Sequence, residues 1–118
     1  MIRALALTLA LAVPAGAQER VADGTAAELR ALDRLSGELS DLTVPVGDAA
    51  RVGPLAVNVV HCRYPVDNPA GDAFAYLLID DLRRSEVAFD GWMVASSPAL
   101  NPLDHTRYDV WVLRCSTS

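Results

Sequence analysis

Lysine is absent from this chain: all ten basic residues are arginine, set against fifteen acids for a formal net charge of −5. With no basic cluster and an excess of acid, the chain is a poor partner for nucleic acid or for anionic lipid headgroups. No apolar run is long enough to cross a bilayer. The longest, Ala4 to Val13, covers about ten residues where a spanning helix needs roughly twenty, so stable membrane insertion is not expected. Cysteine occurs only twice and aromatics make up 6%. No G-x-S-x-G elbow is present to raise a serine nucleophile to the apex of a strand-to-helix turn. Neither an internal repeat nor a low-complexity tract divides the chain.

What is present begins with an export signal. Met1-Ile2-Arg3 is a positive n-region, Ala4 to Val13 the apolar core, and Ala15-Gly16-Ala17 an A-x-A site, which predicts cleavage after Ala17 and a periplasmic location. No cysteine lies near that site for a lipoprotein signal to acylate. The expected organisation is a leader over 1–17, a flexible tail over 18–25 and one domain over 26–118, large enough to fold alone. Cys62 and Cys115 both lie in the mature part. An even count in an oxidising compartment predicts a disulfide, stabilising a domain of this size by roughly 4 kcal/mol on the chain-entropy model.

Ala26 to Leu42 carries two conflicting signals. Leu29, Leu32, Leu35, Leu39 and Leu42 recur at helical spacing, whereas Ser36-Gly37 is turn chemistry and Leu42 to Val46 is extended. Further on, Leu55 to Cys62 alternates as a strand, with Leu55, Val57, Val59 and His61 on one face and Asn58, Val60 and Cys62 on the other. Arg63 to Asp72 has loop composition. Ala73 to Ile79 is an apolar strand, Val87 to Ala95 a strand broken at Asp90-Gly91, and Tyr108 to Cys115 the last strand, placing Cys115 on the face of Trp111 and Leu113. Ser97-Pro98 has the form of a cap and first helical position, predicting one helical turn over 97–101. The fold class is therefore all-β: a small sandwich or partly closed barrel of about six to seven antiparallel strands.

Gly91-Trp92-Met93, Ala95 to Leu100, Asp104-His105 and Tyr108 to Val112 with Cys115 resemble an exported bacterial family known as domain of unknown function 2155. Leu32-Asp33-Arg34 with Ser36-Gly37, and Cys62-Arg63-Tyr64-Pro65, extend the resemblance over about Leu29 to Cys115. The chain departs from the pattern at Thr106-Arg107, where many relatives are expected to carry proline. The resemblance implies a signal peptide, a small β-rich domain and no assigned activity. It also implies that Leu29 to Arg34 is a strand turning at Ser36-Gly37, so a hairpin is expected there.

Several chemistries can be weighed on the residues. Ser96 or Ser97 with His105 as base and Asp104 or Asp109 as orienter would make a small hydrolase, but a capping serine and a loop-fixing histidine account for the same residues. Zinc on His61, Cys62, His105 and Cys115 would need the adjacent His61 and Cys62 to leave one face of a strand, so no metal site is expected. Asp67, Asn68 and Asp72 read as a turn rather than a calcium loop, and Asp80-Asp81 as a solvated strand end. No cofactor is expected, and an enzyme is the less favoured class. The favoured function is an exported, non-catalytic binding or structural module of the cell envelope, with an unknown envelope protein or glycan as partner. The candidate contact surface is Trp92, Ser96, Ser97, Asp104 and His105, and an exposed Trp92 would favour a glycan-binding module.

Overall fold

The computed structural model describes residues 20–117; the expected leader over 1–17 lies outside the described residues. Eight antiparallel strands form two sheets: β1 (Val21–Asp23), β2 (Ala26–Asp33), β3 (Leu39–Pro45), β4 (Ala49–Val52), β5 (Leu55–Pro65), β6 (Phe74–Asp81), β7 (Glu86–Val94) and β8 (Tyr108–Ser116). One sheet runs β1-β5-β6-β7 with β4 also paired to β5; the other runs β3-β2-β8. The two do not close into a barrel, and the architecture is an all-β sandwich. Its core interleaves Leu29, Ala31, Val44, Val110 and Val112 of the smaller sheet with Leu55, Val57, Val59, Leu77, Ile79, Phe89 and Met93 of the larger one. Apolar side chains at alternate positions, many of them β-branched, are what fills the space between two packed sheets.

Ala26 to Leu42 is a hairpin, not a helix. Leu29 is fully buried while Leu35 and Leu39 are exposed, so the leucine spacing does not define one face. The Asp33 carboxylate accepts the Leu35 and Ser36 amides, and Gly37 N–H donates to Asp33 O, closing the turn at Ser36-Gly37. A short-range polar turn thus overrides the periodicity.

Strand alternation fails at three places: β7 carries Ala88 as an extra residue opposite Ile79 and Asp80 of β6, and the other two failures serve the cysteines. In β5 the pairing with β6 slips between Val59 and His61, leaving Val60 as an extra residue. In β8 the pairing with β2 slips at Glu28/Leu29, leaving Leu113 extra. Each bulge reverses the parity of the residues beyond it. Cys62 therefore joins Leu55, Val57 and Val59 in the core instead of facing away, and His61 turns out to solvent. Cys115 likewise joins Val110 and Val112 and leaves the face of Trp111 and Leu113 expected for it. The two sulfurs are bonded, with Cα atoms 5.8 Å apart across 53 residues, and tie one sheet to the other. The chain crosses between sheets beside this bond at Gly24, whose N–H donates to Cys62 O at 2.6 Å. A Cβ there would lie 2.8 Å from Cys115 Cβ, so only glycine fits.

Other boundaries shift. Within the expected tail, Val21–Asp23 is a strand paired with Arg63–Pro65 of β5, and β5 accordingly runs on past Cys62 to Pro65. Asp90-Gly91 does not break β7, which pairs continuously with β6 through that point. The helical turn expected at 97–101 is a β-turn closed by Leu100 N–H to Ser97 O at 3.0 Å, and no helix occurs among the described residues.

Candidate functional site

Strand β7 alternates so that Phe89 and Met93 enter the core while Asp90 and Trp92 face out. Trp92 is 37% exposed. Register places it beside Tyr76 of β6, which in turn pairs with His61 of β5, so three rings lie in one row across the outer face of the larger sheet. The indole stacks on the His61 ring at 6.0 Å and 11°, and meets Tyr76 edge-on at 5.3 Å and 84°. The next row brings Arg63 and Phe74 together, with the Arg63 guanidinium 5.2 Å from the Trp92 ring centre. Such contacts of cation on indole stabilise by about 0.5–1 kcal/mol at exposed sites. Strand β1 adds Val21 and Asp23, the latter accepting from Arg63 Nε at 3.2 Å. Val21, Arg63, Phe74 and Trp92 line a shallow depression of about 340 Å³. Beside it Tyr76 donates its hydroxyl to Asp90, a bond that raises the pKa of the phenol, while Asn101 Nδ2 donates to Trp92 O at 3.0 Å from the other face of β7, against Gly91.

His105 lies elsewhere. It faces the end of β6, where strict alternation turns Asp81 inward to 3% exposure, against the expectation of a solvated Asp80-Asp81 end. His105 Nδ1 accepts the Arg107 and Tyr108 amides, both at 3.1 Å, which assigns the proton to Nε2 and directs it to Asp81 Oδ2 at 3.2 Å. Asp81 also accepts the Arg83 and Arg84 amides. Burial pushes its carboxyl pKa up, but the bonds from His105 and the two amides outweigh this and leave it below the ordinary value. Arg107, in the departure from the family pattern, uses its N–H on His105 and its guanidinium on both Asp33 oxygens at 3.0 Å. A proline at that position would supply neither. Asp33 is held well below the usual carboxylate range, chiefly by this fork. From Tyr76 to Asp81 is five strand positions, so Trp92 and the His105 clamp sit about 17 Å apart along the sheet.

The remaining expected residues divide between these regions and neither. Ser96 donates to Asp72 Oδ2 at 2.8 Å and its amide to Asp72 Oδ1 at 3.0 Å, pinning two loops together. Ser97 forms the β-turn through its backbone, and Asp104 is exposed in the loop leading to His105. The five residues are therefore not one surface, and neither serine is a hydrogen-bond partner of the His105 ring. Among the described residues no group of three His, Cys, Asp or Glu converges as metal ligands; His61 faces out and the cysteines bond each other. His61, Arg63, Phe74, Tyr76 and Asp23 are not singled out by sequence pattern, because the bulge at Val60 hides that His61 and Arg63 flank an inward cysteine.

The profile of a bacterial family described as "uncharacterized protein conserved in bacteria", domain of unknown function 2155, matches residues 27–115. No curated protein and no solved structure matches the chain significantly. The chain belongs to this family.

Proposed function

We propose that this family member is an exported, non-catalytic recognition module of the bacterial cell envelope, and that its contact face is the outer surface of the larger sheet around Trp92. One observation carries this reading: in a chain poor in aromatics, His61, Tyr76 and Trp92 stand in one solvent-facing row with Phe74 and Arg63 beside them. Leaving these rings in water forgoes burial that the core would reward. The chemistry of the face favours a glycan. A sugar ring offers C–H groups to an indole and hydroxyls to planar polar groups, and Asp23, Arg63 and Asp90 flank the aromatic row. The inter-sheet disulfide supports an oxidising compartment.

The test is co-sedimentation of the purified protein with bacterial sacculi, repeated with Trp92→Ala and Ser97→Ala. Retention of the parent and of the serine variant, with loss of the tryptophan variant, is the expected result. Equal behaviour of all three contradicts the assignment of the face.

A further inference from the structure

A second opening lies on the other side of the sandwich, where the edge strands β3 and β4 leave a cleft of about 290 Å³ between the two sheets. That is the lower end of the range for small-molecule sites. Its floor is apolar, formed by Ala31, Leu42, Val52 and the ring of Tyr108. Tyr108 is 8% exposed, yet its hydroxyl finds no hydrogen-bond partner among the described residues and is not sealed from solvent. The hydroxyl therefore meets water at the cleft, where a ligand group can take that bond. The backbone clears space for this one: Gly53, at φ +55°, lies so close beneath the hydroxyl that a Cβ would collide with it.

The walls carry opposite charges. Arg51 comes from β4, and one of its Nη groups holds Gly53 O at 3.2 Å, fixing the guanidinium at the cleft. Glu38 comes from the β2–β3 turn, and its carboxylate accepts no hydrogen bond from the described residues. The other lining carboxylate, Asp33, is consumed by Arg107. An ion of either sign alone would meet one matching and one opposing wall.

We propose that this cleft binds a small zwitterion with an apolar side chain, of the α-amino acid class. Its carboxylate faces Arg51, its ammonium faces Glu38, its side chain lies on the apolar floor, and the Tyr108 hydroxyl completes a hydrogen bond. The site is separate from the Trp92 face and stands or falls without it.

The experiment titrates ¹⁵N-labelled protein with L-leucine, leucinamide and 4-methylpentanoate, which carry both charges, the ammonium alone and the carboxylate alone. Leucine is expected to give saturable shifts at Ala31, Arg51, Gly53 and Tyr108, with each single-charge analogue weaker by about tenfold or more. Tyr108→Phe keeps the ring and is expected to weaken leucine by about three- to tenfold. Arg51→Gln, at an exposed position, is expected to erase the advantage of leucine over leucinamide. Equal binding of the three probes, shifts confined to other surfaces, or no saturable shift would each overturn the proposal.

Discussion

The two histidines of this domain occupy opposite situations. His105 is nearly buried, and both ring nitrogens are engaged, Nδ1 by two amides and Nε2 by Asp81. His61 is exposed on a strand, stacked on Trp92 beside an arginine. The residue types that first suggest chemistry are spent on structure: His105 and Asp81 clamp the loop before β8 against the end of β6, and Ser96 pins its loop to Asp72. The residues suited to recognition sit on the open face, where aromatic surface and unspent donors remain available. A polar group whose bonds are all made within the fold has little left to offer a ligand.

Breaking the disulfide would touch the core and the face together, because Cys62 lies between His61 and Arg63. Replacing both cysteines by serine should cost about 2–5 kcal/mol in urea unfolding and weaken sacculus binding as well. Loss of stability with binding intact would show that the bulge holds without the bond. At the clamp, Asp81→Ala strands two amides and His105, and should lower the thermal midpoint by more than any substitution on the aromatic face, while the folded fraction binds normally. The acid limb of stability follows from the same groups. Asp33 and Asp81 have carboxyls depressed in the folded state, so their contribution is present above the unfolded value near 3.9 and is lost as pH falls through the folded values. Urea midpoints should therefore fall as pH drops below about 4, and Asp81→Asn should flatten that slope. The smallest effect belongs to Arg63→Gln, which removes a cation from the indole and should weaken binding about two- to fivefold with stability nearly unchanged.

Much of the architecture is legible in the sequence, for identifiable reasons. Leu55 to Val59 and Ala73 to Ile79 announce themselves by composition, and the only two cysteines of one small domain predict each other. The hairpin over Ala26 to Leu42 is legible only through the family resemblance, since leucines at helical spacing argue the other way until Asp33 is seen capping the turn. Alternation misassigns the faces of β5 and β8 past Val59 and Val112, because a one-residue bulge leaves no mark in the hydrophobic pattern. That misassignment hides the site: unbroken alternation sends His61 inward and Cys62 out. β1 is three residues long and gains its structure wholly from pairing with β5. Asp81 reads as solvated because the sequence does not show His105 arriving from 24 residues away.

The most direct test pairs two readings on Trp92→Ala: the thermal midpoint and the fraction retained by sacculi. The indole packs on the outside of the sheet, so the midpoint should move less than for Asp81→Ala, by about 1–2 kcal/mol of lost contacts with Tyr76, His61 and Arg63, while retention falls at least about tenfold. A midpoint that drops as far as that of Asp81→Ala, with retention tracking only the folded fraction, would show that Trp92 belongs to the scaffold and that the open face is not where this protein recognises anything.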